Sequence, residues 1–301
     1  MNHKIKNPLV TICCIAYNHE EIIRDAIEGI LSQKANFHFE ILIHDDASTD
    51  STAEIIREYE NKYSGSLKCI YQSVNQLSRG IKPSPNYLWP QARGKYIALC
   101  EGDDCWTDPF KLQKQVDYME ANNHVTLSYH KVIKPNMDVN EDSYKIKNDL
   151  STAFIPTSSV VFVNNKKIIN NIKNNGANII SIDQYLFYLC SFIGELKFMD
   201  FIGGVYNQTE HGMSKSIGIR SKKWLLNRIL MYSILFKASP IKNKFALIKV
   251  AQSSLFNAME TGIISPFIAY PYHAFKIIVL GFIFYPKYTL FRIKSLKIHR
   301  G

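Results

Sequence analysis

The feature that most narrows the fold is a strand that needs cover on both sides. Residues 9–17 (LVTICCIAY) are almost continuously apolar and β-branched, with no alternation of polar and apolar positions. Such a run belongs inside a sheet with both faces covered. Ile22, Ile23, Ala26, Ile27, Ile30 and Leu31 follow at helical spacing within 20–33, which predicts a helix with one apolar face. The alternation then repeats. Strands are predicted over 39–44, 67–73 and 95–100, with a helix opened by a Ser51/Glu54 capping box and another begun at Asp108-Pro109. This order predicts an α/β fold, a parallel sheet with helices on both faces. Ligands of such sheets bind beyond the carboxyl ends of the strands, so those ends are where chemistry is sought.

Further along, residues 134–150 are polar and aperiodic and read as a loop. A strand is predicted at 158–163 and helices near 166–173 and 182–191. The 301 residues, 46% apolar and 21% charged, exclude global disorder and collagen-like repeats. Cys13, Cys14, Cys69, Cys100, Cys105 and Cys190 form no CxxC pair and sit mostly in apolar runs. They are expected to be structural thiols in a reducing compartment. The first apolar run lacks a small-residue cleavage site and reads as a strand rather than a signal peptide.

Charge divides the chain. Residues 221–301 carry 13 Lys and Arg against one acid, a net +12, whereas residues 1–220 are close to neutral at −2. Two regions are therefore expected: a 1–220 domain and a basic helical region over 221–301. A cationic segment mixed with aromatic and aliphatic residues suits an anionic membrane surface. Lys287, Arg292, Lys294, Lys297 and Arg300 are candidates to face lipid headgroups. No nucleic-acid-binding module is present in the sequence, so nucleic acid is not an expected partner. The run from Gly262 to Tyr285 is broken by Pro266, Pro271, His273 and Lys276. Its longest uncharged stretch is shorter than the roughly 20 residues a transmembrane helix needs.

Two acidic clusters fall at predicted strand ends: Asp45-Asp46 with Asp50, and Glu101-Gly102-Asp103-Asp104. Neighbouring carboxylates repel unless a cation or donors compensate. A hard divalent ion with oxygen ligands is the usual compensation, and Mg²⁺ completes its shell with water and substrate phosphates. Gly102 permits close backbone approach. By spacing alone, either pair could also be a helix cap or a solvated turn, and Asp50 reads as a cap.

The runs PLVTICCIAYNHEEIIRDAIEGILSQKANFHFEILIHDDASTDST and GKYIALCEGDDCWTDPFKLQKQ resemble family 2 glycosyltransferases. The resemblance covers residues 8–120 well and 150–215 loosely. It implies a GT-A fold, a Rossmann-like nucleotide-binding sheet flanked by helices, here followed by the basic helical segment. By that resemblance Ile15, Ala16, Tyr17 and Asn18 line the nucleotide base, and Asp45 or Asp46 (Asp46 preferred) accepts a hydrogen bond from it. Asp103 faces the ribose or the metal's outer shell, and Asp104 ligates Mn²⁺ or Mg²⁺. Glu101 stands where many relatives carry the first Asp of the metal motif. Asp183 takes the place of the general base that opens a later helix, with Ile182 where relatives often have Glu. His211, in a segment similar to Tyr-Arg-x-His-x-x-x-Ser, is a candidate for the metal or the diphosphate, with Asn207 in place of the Arg. Arg79 and Lys82 follow the third strand and could screen phosphate charge. Trp106 is expected to pack against the acceptor cleft or the following helix.

The implied activity is inverting, metal-dependent transfer of a sugar from a nucleotide-sugar donor to a saccharide acceptor. The resemblance points to a lipid-linked acceptor at the cytoplasmic face of the membrane, in polysaccharide synthesis. A catalytically silent nucleotide-sugar-binding or scaffold protein of the same fold is the alternative, kept open by Ile182 and Asn207. A phosphoacceptor receiver domain fits poorly. It needs an acidic pair after its first strand, where this chain has Tyr17-Asn18-His19.

Overall fold

The computed structural model describes residues 7–135, 139–146, 150, 153–207, 222–260 and 271–298. They divide into two compact units. One holds residues up to 147, 152–177 and 193–209, and the other holds 178–192 and the chain from 210 onward. Residues 178–192, counted with the first region on charge, thus group with the C-terminal helices.

The first unit is built on an eight-stranded sheet of order β3-β2-β1-β4-β7-β6-β8-β5. The strands are β1 (Val10–Ala16), β2 (Phe39–Asp45), β3 (Leu67–Tyr71), β4 (Tyr96–Glu101), β5 (Cys105–Trp106), β6 (Val125–Ile133), β7 (Val161–Val163) and β8 (Glu195–Val205). The first four match the sequence expectation and are mutually parallel. The sheet as a whole is mixed rather than all-parallel. β7 runs antiparallel to both β4 and β6, and β5 runs antiparallel to β8. Among the described residues the connection from β6 to the three-residue β7 holds short 3₁₀ turns and no α-helix, so no parallel orientation is imposed on it.

Helices α1 (Ile23–Leu31), α2 (Thr52–Lys62), α3 (Lys111–Ala121) and α4 (Lys166–Asn175) complete this unit. α1 buries Ile23, Ala26, Ile27 and Ile30, the face its spacing predicts. Two helix starts differ from expectation. No capping box forms at α2: the Ser51 side chain makes no cap bond, and Asp50 Oδ1 accepts from the Thr52 amide at 3.0 Å. Glu20 Oε2 takes the Ser51 amide at 2.9 Å, so the donor that a box would reuse is already engaged. Asp108 Oδ1 does accept from the Phe110 amide at 2.9 Å, but α3 begins two residues after Pro109.

At the amino ends of the central strands, Glu40 acts as a staple. Its Oε1 accepts from the Thr11 hydroxyl at 2.7 Å and the Arg93 amide at 2.9 Å, and its other oxygen pairs with the Arg93 guanidinium. One carboxylate, largely buried, thereby ties β1, β2 and the approach to β4 together. A group of this kind costs much to bury unless bonded as fully as it is here.

The second unit is helical: α5 (Ile182–Ile193), α6 (Lys222–Ala238), α7 (Ile241–Glu260), α8 (Pro271–Phe284) and α9 (Pro286–Ile298). α5 meets α6 through Tyr188 and Tyr232, whose rings are edge-to-face at 5.7 Å. Asn227 Oδ1 accepts from the Ile180 amide at 2.7 Å, which fixes the segment leading into α5. Gln252 on α7 donates to the Thr289 hydroxyl on α9 at 2.8 Å, a buried polar pair in an otherwise apolar core. α8 departs from a simple amphipathic pattern. Its inner side buries Ala274 and Ile277, and its outer side exposes Tyr272, Phe275, Val279, Phe282 and Ile283. Among the described residues, no helix is long and apolar enough to cross a membrane.

Candidate active site

Register brings the two acidic clusters side by side. β1 lies between β2 and β4, and Ile15 is opposite both His44 and Glu101. Asp45-Asp46 and Glu101–Asp104 therefore leave the sheet at one level, on either side of β1. His19, three residues past β1, lies between them. Burial depresses its pKa, while the charges of Asp103, Asp50 and Asp45 oppose that shift. Its Nδ1 is buried with no partner among the described residues. A Cβ on Gly102 would stand 2.7 Å from that nitrogen and 3.0 Å from the Ile15 carbonyl oxygen. Glycine is thus required there for close packing.

On the β1–β2 side the loops bind one another. Asn18 adopts φ 54, the left-handed region Asn tolerates better than most residues. Its Oδ1 accepts from the Thr49 amide at 2.8 Å, and its own amide donates to Ser48 Oγ at 3.0 Å. Ala16 is buried and its carbonyl accepts from the Asp46 amide at 2.9 Å, while Tyr17 is 41% exposed. Asp45 accepts from the Ser48 hydroxyl at 2.5 Å. Asp46 accepts from the Gln76 amide at 2.8 Å through one oxygen and from Leu77 at 3.0 Å through the other. Asp46 thus shapes the loop after β3, which carries Arg79 with its side chain exposed.

On the β4 side, carboxylate oxygens of Glu101, Asp103 and Asp104 lie within 4.8 Å of one another. Asp104 is 1% exposed. Its Oδ1 accepts from the Asn207 amide at 2.9 Å, and Asn207 Nδ2 donates to the Asp103 carbonyl at 2.7 Å. Oδ2 is buried with no hydrogen-bond partner among the described residues. Burial first, and the Asp103 charge second, push the Asp104 carboxyl up to about 7, against the pull of Ser158, the Asn207 amide and Lys134. An orphaned buried oxygen inside an all-oxygen cluster of three carboxylates fits a hard divalent cation.

The remaining predicted residues fall elsewhere. Asp183 lies in the first turn of α5, in the second unit. His211 lies outside the described residues. Trp106 is interior, as expected, with Nε1 donating to the Ser158 carbonyl at 2.8 Å and the Lys111 ammonium 3.5 Å from its ring centroid. Two residues of this neighbourhood carried no role from the sequence. His19 directly follows the Tyr17-Asn18 pair, so proximity to a strand end was the available signal. Lys134 follows β6, a strand the sequence reading did not anticipate, and nothing in its local pattern marks it.

An α/β sheet with acidic clusters at the carboxyl ends of the two strands that flank β1 has the GT-A architecture. The mannosyltransferase PcManGT from Pyrobaculum calidifontis, solved in complex with GDP-Man and Mn²⁺, shares that fold. Its TM-score is 0.58 over 98% of this chain and 86% of that one, at 15% identity. Residues 11–183 match glycosyl transferase family 2, and the chain belongs to that family. An uncharacterized protein of Mycobacterium tuberculosis (strain H37Rv) is 36% identical over 214 residues, 68% of this chain and 60% of the relative. The Escherichia coli UDP-Glc:alpha-D-GlcNAc-diphosphoundecaprenol beta-1,3-glucosyltransferase WfaP is 35% identical over 121 residues, 40% of this chain and 45% of that enzyme. The match therefore spans less than two thirds of either relative.

Proposed function

We propose that this protein is an inverting, metal-dependent glycosyltransferase. It moves a sugar from a nucleotide-sugar donor to a saccharide acceptor, lipid-linked, in cell-surface polysaccharide synthesis. The observation that carries this reading is the buried Asp104 carboxylate, half-orphaned among three acids beside a second acidic loop. WfaP, whose name specifies a UDP-sugar donor and a diphosphoundecaprenol-linked acceptor, supports the choice of substrates.

In this reading Ala16, Tyr17 and Asn18 line the nucleotide base, and Asp45 or Asp46 accepts its hydrogen bond. Asp46 also holds the loop that presents Arg79 toward phosphate. Asp103 faces the ribose or the metal's outer shell, and Asp104 with His211 holds Mn²⁺ or Mg²⁺. The cation, when bound, neutralises charge that accumulates on the leaving diphosphate. Asp183 accepts the acceptor hydroxyl proton as that oxygen bonds to the anomeric carbon and the carbon–phosphate oxygen bond breaks. The nucleoside diphosphate leaves with the electron pair. A thermal-shift panel of nucleotide sugars with and without Mn²⁺ tests donor and metal together. Metal-enhanced stabilisation by one nucleotide class is expected, and no shift with any donor would overturn the reading.

Asp183→Asn separates binding from chemistry. Donor affinity is expected to stay within about 3-fold while transfer falls roughly 10²- to 10⁴-fold, the usual worth of a positioned general base. Calorimetry beside a transfer assay reads both, and a parallel loss of donor binding would assign Asp183 a structural role instead.

The 1–220 region is proposed as the catalytic domain, with 221–301 as the part that meets the membrane. The protein is placed as peripheral, at the inner face. Tyr272, Phe275, Val279, Phe282 and Ile283 form one exposed apolar stripe along α8, and Lys287 is exposed just beyond it. An apolar stripe within a +12 region matches an anionic lipid surface in both chemistry and charge. Phe275→Glu with Ile283→Glu is expected to abolish sedimentation with phosphatidylglycerol-containing vesicles while leaving transfer to a soluble acceptor unchanged. Unaltered sedimentation would remove the stripe as the contact.

A further inference from the structure

Three strand ends meet beside the carboxylate cluster, and one of them carries a cation. β8 pairs with β6 on one side, Val205 opposite Ile133, and with β5 on the other, Val205 opposite Cys105. Asp104, Val205 and Lys134 therefore stand almost in a row across the sheet edge. Backbone bonds fix the row at both sides. The Tyr206 amide donates to the Ile133 carbonyl at 2.8 Å, and the Asn207 amide donates to Asp104 Oδ1 at 2.9 Å.

The Lys134 ammonium sits in an aromatic corner. It is 4.0 Å from the Phe154 ring centroid and 5.1 Å from that of Tyr206, and those two rings meet edge-to-face at 6.0 Å. Such faces hold a cation by their quadrupoles and fix its position without neutralising its charge. Among the described residues Lys134 makes no ion pair within 4 Å. Its field nonetheless reaches Asp104, where it draws the carboxyl down. A lysine held this way, half-buried beside Asp104 and with no ion pair among the described residues, is a fixed positive charge suited to an anion.

We propose that Lys134 is a diphosphate-binding residue of this site, its ammonium presented to the phosphate oxygens of the donor by the Phe154–Tyr206 corner. The proposal rests on the glycosyl-transfer reading and adds a phosphate contact to it. Charge balance gives the reason. Three carboxylates and a nucleoside diphosphate together exceed what one divalent cation offsets, and a further cation at the strand-end row offsets the rest. A charge-assisted contact of this kind is stronger than a neutral one and points at its phosphate oxygen.

Lys134→Met and Lys134→Arg, in the full chain, distinguish this role from packing. Calorimetry is run with UDP and with GDP in the presence of Mn²⁺, and with Mn²⁺ alone. In Lys134→Met, binding of whichever diphosphate the parent protein prefers is expected to weaken about 10- to 100-fold. Mn²⁺ alone is expected to bind as tightly or more tightly, because a neighbouring positive charge has gone. Lys134→Arg is expected to keep diphosphate binding within about 5-fold. Opposite responses of metal and diphosphate are what a merely structural lysine does not produce. Unchanged diphosphate affinity in Lys134→Met, or equal loss of metal and diphosphate, overturns the assignment. Failure of the unmutated protein to bind either diphosphate overturns the glycosyl-transfer reading itself, and this proposal with it.

Discussion

Asp104→Ala is expected to lower metal-dependent transfer roughly 10³-fold, the loss of about 4 kcal/mol of charge stabilisation at the leaving group. The fold is expected to survive. The Asn207 amide loses its acceptor, which costs on the order of 1 kcal/mol, but a buried carboxyl with an unpartnered oxygen is removed at the same time. Steady-state transfer across a Mn²⁺ titration, beside a thermal melt, checks both. Asp104→Asn keeps an oxygen for the Asn207 amide and so guards against a folding artefact. Normal turnover in both variants would withdraw the metal from this residue.

The same carboxyl predicts a pH dependence. Its folded-state pKa is about 7 against an ordinary 3.8. Between those values the folded protein holds a proton that the unfolded chain has released, so metal-free stability falls as pH rises from about 4 to 7. Stabilisation by Mn²⁺ is expected to grow over that window, because the proton and the cation compete for one oxygen. Asp104→Asn is expected to flatten both trends.

Lys111→Met carries the largest expected change in stability. Lys111 is completely buried in the first turn of α3, its ammonium against the Trp106 ring and, among the described residues, without a hydrogen-bond partner. Burial drives its pKa down to about 7 from 10.5, opposed only by Cys100. The unfolded chain therefore binds a proton that the folded chain lacks between pH 7 and 10.5. Stability falls as pH drops through that range and stays low below it. At about 1.4 kcal/mol per unit, this group alone costs on the order of 5 kcal/mol at pH 6 and nothing near pH 11. Methionine fills similar volume without a charge, and the cation–π contact it forfeits offsets about 1–2 kcal/mol. A net gain of roughly 3–4 kcal/mol is expected at pH 6, shrinking toward pH 10. Urea unfolding at pH 6 and 9 measures it, and equal midpoints at pH 6 would show that the buried ammonium is solvated or paired. His130, also fully buried and pushed down to about 3 by burial and by the Lys111 charge, is expected to titrate closer to its ordinary range in the variant.

The parts of the fold legible from sequence are those where local pattern and tertiary environment agree. β1 through β4 are apolar runs that end up covered, and α1 buries the face its spacing marks. β6 was not legible. Thr126, Ser128 and His130 alternate with apolar residues as on a half-solvated strand, yet all three are buried. Tertiary partners satisfy the first two: Ser128 receives Gln115 from α3 at 3.1 Å, and the Thr126 hydroxyl donates to the Glu195 carbonyl at 3.2 Å. β8 and the two-residue β5 were missed for the same cause, since each is a strand only because a neighbour pairs with it.

Sequence alone determined that the sheet is layered by helices, that two acidic loops follow two of its strands, and that a cationic, apolar region comes after them. Those features follow from local chemistry: which residues tolerate water, and how far apart they recur. Only tertiary structure decided that Glu101, Asp103 and Asp104 crowd together with one oxygen left bare, that His19 fills the gap beside Gly102, and that Lys134 stands on the same edge. Strand register sets those distances, and register comes from hydrogen bonds between segments far apart in the chain, which no local pattern encodes.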